Sequence, residues 1–478
     1  MRWTIAQVAG ALHTQAGSGL DPVARLAGVS IDSRTLRSGE LFIAIHGPRH
    51  DGHDHLGGAF ERGALAAVVA KDRLGGLPDA QHRRCIPVAD TFEALKQLAR
   101  AVREAWGGKI AGVTGSVGKT TTKEILAALL GARFHVLKSE GNFNNEYGLP
   151  LTLFRLEAEH QAAVLEMGMS RRGELARLAA IATPDVGVVT RVSPAHLEFF
   201  ASLDEIALAK RELIEGLNGR ESTAVLNADD LRVAAFGAFA PGRVLTYGID
   251  HSAFFTAEQI EDRGALGTAF DYVSPEGRVR LELPLPGRHV ISNALAALAA
   301  ASVWGIGAAE AQAVLRTLHP PAMRGELLRF SNGAALINDS YNSSPAALQA
   351  MTQLLAATPG FRRRLLALGE MRELGAASAE LHREAGRFAA ATGKVDWIIA
   401  VEGDAVRIIE GAVAEGFDRS RTKFFRSSDE AAEYLPSLFA AGDLLLVKGS
   451  RGVKMERIVD RLLAHHGAAD AAREEVRH

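Results

Sequence analysis

The feature that most limits what this chain can fold into is the run Gly112-Val113-Thr114-Gly115-Ser116-Val117-Gly118-Lys119-Thr120-Thr121, which continues an apolar stretch and opens a helical pattern. A strand that feeds a glycine-rich turn and then a helix leaves bare amides and a helix start converging on one point, which is a seat for phosphate oxygens. Lys119 is placed to neutralise the outer phosphates, and the Thr120 hydroxyl can ligate magnesium. The expected nucleotide cradle is therefore Gly115, Ser116, Val117, Gly118, Lys119, Thr120 and Thr121. Its spacing is unusual: Val113 stands where such loops carry their first glycine, and the glycine lies one residue earlier, at Gly112.

A phosphate loop presupposes an α/β sheet, and the chain alternates strand and helix patterns for most of its length. Early strands are LFIAI (Leu41–Ile45) and LAAVVA (Leu65–Ala70), and a helix is predicted over Thr91–Trp106. Helical segments around Thr121–Leu130 and Leu203–Leu217 accompany the strands AAVLEM, VGVVT and TAVLN. The stretch AFDYVSPEGRVRLELPL alternates around a turn and predicts an antiparallel hairpin on the sheet edge. An alanine-rich helix (Ser292–Val303) precedes His319-Pro320-Pro321, after which AALIND, RLLALGE, DWIIAVE, TKFF and DLLLVKG suggest a further Rossmann-like unit. At 478 residues, about three domains are expected, with boundaries at 1–84, 85–318 and 319–478.

Composition removes several function classes. Lysine and arginine total 54 against 56 acids, a formal charge of -2, which argues against nucleic acid or an anionic membrane as the main partner. The single cysteine, Cys85, excludes an intramolecular disulfide and fits a reducing compartment. The start does not read as a signal peptide and no 18-residue apolar run occurs, so the expectation is a soluble, cytoplasmic protein without membrane insertion. The histidines and acids crowded between His46 and His55 are not read as a zinc site, because loop clusters of this kind are commonly just solvated.

Three further residues stand out. Glu166 ends the apolar strand AAVLEM, where a carboxylate can reach magnesium at the carboxyl ends of the strands. His196 follows the buried strand of PDVGVVTRVSPAHLEFF in a similar position. Lys210 lies in the middle of the apolar arc of Leu203, Ile206, Ala207, Leu213, Ile214 and Leu217. A lysine there either snorkels to water or is buried with a lowered pKa, and as a neutral amine it can take up carbon dioxide to become a carbamate.

With these motifs in order along nearly the whole chain, the sequence resembles the Mur ligases, ATP-dependent enzymes that extend the peptide of the cell-wall precursor. TGSVGKTT resembles the family's nucleotide loop, odd glycine spacing included. The resemblance makes Glu166 and His196 magnesium-linked residues and Lys210 a carbamylated, metal-binding lysine, so Thr120, Glu166, His196 and Lys210 form the implied metal set. GRHVISNALAALAAA resembles the adenine-binding stretch, with Asn293 reading the base edge. Arg324 matches an arginine that reaches phosphate, and Asp339 an acid at the ribose.

The amino-terminal SIDSRTLRSGELFIAIHGPRHDGHDH is similar to the family's uridine-nucleotide domain. GNFNNEYGLPLTLFRL, INDSYNSSPAAL, ALGEMRELGAASAELHREAG and LLLVKGSRGVKMERIV are closer to the branch that adds D-alanyl-D-alanine to UDP-N-acetylmuramoyl-tripeptide. This implies substrate contacts at Ser30, Asp32, Ser33, Arg34, Asp51, His53, Asn142, Asn145 and Asn342. The Asp-Asn-Pro-Arg segment of the branch that adds the third residue is missing. One departure is EMGMSRRGEL, where a small polar run such as Gly-Ala-Asn-His is the family expectation after the acid.

The implied architecture is a small α/β uridine-nucleotide domain, a central P-loop ATPase domain with a mostly parallel sheet and a carboxyl-terminal Rossmann-like domain. The implied protein is a monomer using ATP and magnesium, with catalytic residues Lys119, Glu166, His196 and Lys210. The alternatives are a sibling ligase and a P-loop switch that hydrolyses nucleotide without forming a bond. The lack of a guanine-reading Asn-Lys-x-Asp segment weighs against the switch.

Overall fold

A computed structural model describes residues 3–47, 50–194, 199–263, 267–318 and 323–467. The described residues form three sheets, each with its own core.

The first is a four-stranded parallel sheet of β1 (Val29–Ser30), β2 (Leu41–Ile43), β3 (Ala66–Ala70) and β4 (Cys85–Val88) in sequential order. β4 pairs Cys85 with Ala67 and Val88 with Ala70, so the sequence-based edge at 84 would cut this sheet's last strand from its neighbour. Pro87 is tolerated because β4 is an edge strand. The helix Thr91–Trp106, which forms as predicted, serves two cores at once. Ala94, Leu95 and Leu98 pack into the amino-terminal core, and Ala99 and Val102 into the central one. Buried Arg103 fixes this helix to the central sheet by donating to the carbonyls of Ala182 (2.9 Å) and Thr183 (3.2 Å) and to Asp185 (3.0 Å).

The turn after β2 is pinned by a compact polar cluster. Asp51 accepts from the His53 backbone N–H at 3.0 Å, sits 2.5 Å from His53 Nδ1 and pairs with Arg73 at 2.9 Å. His53 Nε2 accepts from the Ala70 N–H at 3.0 Å, which ties the turn to the end of β3. Burial raises the Asp51 pKa, but the backbone and ring of His53, with His46, outweigh it and bring it from 3.8 down to about 2. A carboxyl with a depressed folded pKa stabilises above its unfolded value and loses that contribution as the pH falls through its folded value. Asp51→Asn is therefore expected to cost on the order of 1–2 kcal/mol near neutral pH. Denaturant titrations should show the gap between variant and wild type closing from about pH 4 to pH 2; a gap that does not depend on pH would exclude an ionic role.

The central sheet has nine strands, ordered β13-β12-β11-β10-β9-β8-β5-β7-β6. Here β5 is Lys109–Thr114, β6 Val136–Lys138, β7 Ala162–Glu166, β8 Val186–Val189, β9 Thr223–Asn227, β10 Arg243–Gly248, β11 Phe255–Asp262, β12 Thr268–Ser274 and β13 Gly277–Leu283. From β6 to β11 all pairings are parallel; β12 and β13 form the expected antiparallel edge hairpin. Strand β5 carries the phosphate loop and lies between β7 and β8, so three loops converge at their carboxyl ends. The helix after β5, Lys119–Gly131, packs with Arg288–Ala301 on one face. The helices after β7 and β8, Glu174–Ala182 and Leu203–Glu215, pack together on the other. The crevice between diverging helices at such strand ends is where ligands of open α/β sheets bind.

The third sheet is ordered β14-β15-β19-β16-β17-β18, with β14 Glu326–Arg329, β15 Ala335–Asp339, β16 Arg363–Gly369, β17 Trp397–Val401, β18 Thr422–Phe425 and β19 Asp443–Lys448. It is parallel except for β14, an antiparallel edge strand that the sequence pattern did not suggest. Apolar clusters cover both faces. The predicted boundary at 318/319 adjoins residues 319–322, which lie outside the described residues, as does the charged tail after Gly467. Among the described residues no helix is long and apolar enough to cross a membrane.

Candidate active site

The phosphate loop takes its shape from its neighbours. Gly115 has φ +152° and Gly118 φ +84°. A Cβ on Gly115 would lie 1.8 Å from Thr190 Oγ1, and one on Gly118 would lie 2.3 Å from Asn293 Oδ1. Only glycine supplies both the backbone conformation and the space. The Thr190 hydroxyl donates to the Val117 carbonyl at 2.5 Å, and Ser116 accepts from the Ser193 N–H at 3.0 Å while donating to the Ser193 carbonyl at 2.9 Å. The Ser116 hydroxyl is thus engaged with the loop after β8. Buried Asn293, expected at a base edge, lies with its carboxamide against Gly118.

Lys119 folds over the turn, its ammonium donating to the Gly115 carbonyl at 2.8 Å. Burial lowers its pKa, the charge of Glu166 opposes that, and Arg324 adds to the lowering. Glu166 ends β7 almost fully buried, and both its oxygens are oriented. Thr120 Oγ1 donates to one at 2.8 Å and Asn144 Nδ2 to the other at 2.9 Å, while the Glu166 N–H donates to Ser139 Oγ at 3.1 Å. A hydroxyl and a carboxylate beside a glycine cradle are the hard oxygen donors magnesium prefers, so these residues fit both a nucleotide phosphate and its cation.

Asn144 is the functional candidate that sequence reading missed. The loop GNFNNEYG offers three asparagines, and Asn142 and Asn145 were the ones expected to meet substrate. In the structure Asn145 Oδ1 accepts from the N–H groups of Tyr147 (3.1 Å) and Gly148 (2.9 Å) at the start of the helix Gly148–Leu153, while Asn142 is exposed. Nothing local distinguishes the inward-turning residue; its partner comes from a strand 22 positions away.

Lys210 is only 2% exposed, so its ammonium does not reach water in the manner of a snorkelling side chain. Among the described residues, none hydrogen-bonds to it or pairs with its charge. Burial pushes its pKa well below the ordinary value, and the charge of Lys119 acts in the same direction. His196 lies outside the described residues.

From the third domain, Arg324 places its guanidinium 4.1 Å from the ring centre of Tyr341 and is close enough for Lys119 to feel its charge. Asp339 sits 2.5 Å from Lys448, whose buried ammonium also donates to the Asn342 carbonyl at 2.8 Å. Lys448 closes the apolar strand DLLLVKG, a signal that sequence reading passed over. Across the crevice, His289 at the start of the helix Arg288–Ala301 is electrostatically linked to both Asp339 and Lys448. Ser30, Asp32, Ser33 and Arg34 form a separate group in the amino-terminal domain. There Arg34 holds Asp32 by side chain and backbone and brings its pKa to about 2.

A buried acid oriented against a phosphate loop, whose lysine feels an arginine from another domain, is the equipment of an enzyme that works on a nucleotide's phosphates. Comparison of the whole chain narrows that class. Family models match residues 25–103 (Mur ligase family, catalytic domain), 113–301 (Mur ligase middle domain) and 323–451 (Mur ligase, glutamate ligase domain). The chain is 36% identical over 436 residues to the UDP-N-acetylmuramoyl-tripeptide–D-alanyl-D-alanine ligase of Bacillus subtilis, covering 91% of this chain and 93% of that protein. It belongs to the Mur ligase family.

Among solved structures it is similar to the UDP-N-acetylmuramoylalanyl-D-glutamyl-2,6-diaminopimelate–D-alanyl-D-alanyl ligase of Acinetobacter baumannii. The TM-score is 0.85 at 28% identity, covering 97% of this chain and 99% of that one. It is also similar to a MurF ligase of Thermotoga maritima in complex with ADP, with TM-score 0.79 at 28% identity over 92% and 97% of the two chains.

Proposed function

We propose that this chain is an ATP-dependent ligase that joins D-alanyl-D-alanine to UDP-N-acetylmuramoyl-tripeptide, giving the pentapeptide precursor of peptidoglycan. The observation that carries this reading is the Thr120–Glu166–Asn144 set beside Lys119, in a chain that matches curated ligases of that name almost end to end. The amino-terminal domain through β4 takes the uridine nucleotide with Ser30, Asp32, Ser33, Arg34, Asp51 and His53. The central domain takes ATP, and the third contributes Arg324, Asp339 and Asn342. We take the enzyme to act as a monomer, and soluble nucleotide substrates suit a cytoplasmic site.

A carboxylate acylates poorly because its charge repels nucleophiles and it offers no leaving group. Its oxygen attacks the γ-phosphorus of ATP, the bond to ADP breaks, and an acyl phosphate results. Lys119 neutralises charge on the moving phosphoryl group while the loop amides hold its oxygens. The dipeptide amine then attacks the carbonyl carbon, loses a proton, and phosphate departs. Arg324 and Asp339 hold the nucleotide from the third domain, and closure of that domain shields the acyl phosphate from water. Thr120 and Glu166 are the residues that would hold magnesium, with His196 and a carbamylated Lys210 for a second ion; magnesium supplies charge neutralisation between phosphate and acceptor carboxylate. Burial, which favours the uncharged form of the Lys210 amine, suits carbamylation: the amine attacks carbon dioxide and releases a proton.

Acceptor labelled with heavy oxygen in its terminal carboxylate tests this route. Coupling in the presence of D-alanyl-D-alanine should place one label in the released phosphate. Pentapeptide formed together with unlabelled phosphate would rule the acyl phosphate out, and phosphate release without the dipeptide or any coupled product would favour a switch.

A further inference from the structure

The segment that departs from the family pattern, Met167-Gly168-Met169-Ser170-Arg171-Arg172-Gly173, is the loop leaving β7 directly after Glu166. Among the described residues, the acids bonded to this loop and to the helix after it are already occupied. Glu174 accepts the N–H groups of Ser170 (2.6 Å) and Arg171 (3.2 Å). Glu212 accepts those of Gly173 (2.8 Å) and Ala176 (3.2 Å), and Glu146 is bound by Arg177 at 2.7 Å. Arg171 and Arg172 are both exposed, and among the described residues no carboxylate pairs with either. Arg171 lies 5.0 Å from the ring centre of Phe199, a contact that holds a cation while leaving its edge donors free.

Phe199 belongs to the loop after β8, just before the helix that carries Lys210. Strands β7 and β8 flank β5, so the Arg171–Phe199 contact joins the two loops on either side of the phosphate-loop strand. On the ligase reading, an acceptor carboxylate at Lys119 and Glu166 would lie at the ends of the same strands from which these two loops leave.

We infer that Arg171 and Arg172 recognise a carboxylate of the acceptor peptide other than the one that reacts. This rests on the ligase reading given above. Two sources share that chemistry: the free carboxylate of the glutamyl residue, present in every such acceptor, and the distal carboxylate of a diaminopimelyl third residue, which a lysyl acceptor lacks.

The test is equilibrium binding, together with steady-state kinetics, of the diaminopimelyl and lysyl UDP-muramoyl-tripeptides to wild type, Arg171→Ala/Arg172→Ala and Arg171→Lys. The double variant is expected to weaken acceptor binding and raise acceptor KM about tenfold or more, with ATP KM unchanged. Arg171→Lys should restore part of the loss. Weakening of both acceptors identifies the glutamyl carboxylate, and weakening of the diaminopimelyl acceptor alone identifies its side chain. Unchanged affinity for both, or a fall in kcat with binding intact, overturns the inference. Wild-type protein that binds acceptor but forms no pentapeptide overturns the ligase reading instead, and the variants' affinities still decide this one; wild type that binds neither acceptor overturns both.

Discussion

Lys119→Ala is expected to lower kcat for pentapeptide formation by about 10³-fold, with the protein still folded. The magnitude follows from removing a charge aimed at developing phosphoryl charge in an enclosed site, where one such group accounts for factors of roughly 10² to 10⁵. Lys119 folds back onto the Gly115 carbonyl at 2.8 Å, a neutral partner that a phosphate oxygen can replace. Lys119→Arg should recover little, since a planar fork does not superimpose on a compact ammonium held against a tight turn. Phosphate release at saturating substrates, with thermal unfolding as the folding control, provides the measurement. A loss smaller than tenfold would remove Lys119 from the phosphoryl-transfer step.

Lys210→Ala is expected to lose most activity, on the order of 10²-fold, and to regain part of it with formate or acetate, which can stand in for the carbamate anion. The lysine is buried with no counter-charge among the described residues, and its surroundings favour the neutral amine. Neutrality is the condition for attack on carbon dioxide, and the resulting anion would offset the charge of nearby Lys119. Wild type depleted of carbon dioxide and bicarbonate should slow, while the acid-rescued variant should not respond. Full activity in Lys210→Ala, or the absence of any rescue, would count against the carbamate.

What the sequence disclosed was local. The phosphate loop, the helix Thr91–Trp106 and the β12–β13 hairpin each have a complete short-range signal, and each appears where expected. Glu166 was legible because an acid at the end of an apolar strand has few places to go. The misreadings concern long-range partners. β4 is four residues long, contains a proline and shows no alternation; only its pairing with β3 assigns it to the first sheet. Asn144 looks like its neighbours until β7 passes beside it. Lys210 was undecidable from periodicity alone, because an arc position does not say whether a side chain's tip reaches water.

The clasp between Ser116 and Ser193, with the Thr190 hydroxyl filling the space a Gly115 side chain would need, makes two loops one mechanical part. A shift of the first loop strains the bonds to the second, so the two are braced as a pair. Ser116→Ala should therefore loosen both loops together, an effect out of proportion to the loss of one hydroxyl on an exposed turn.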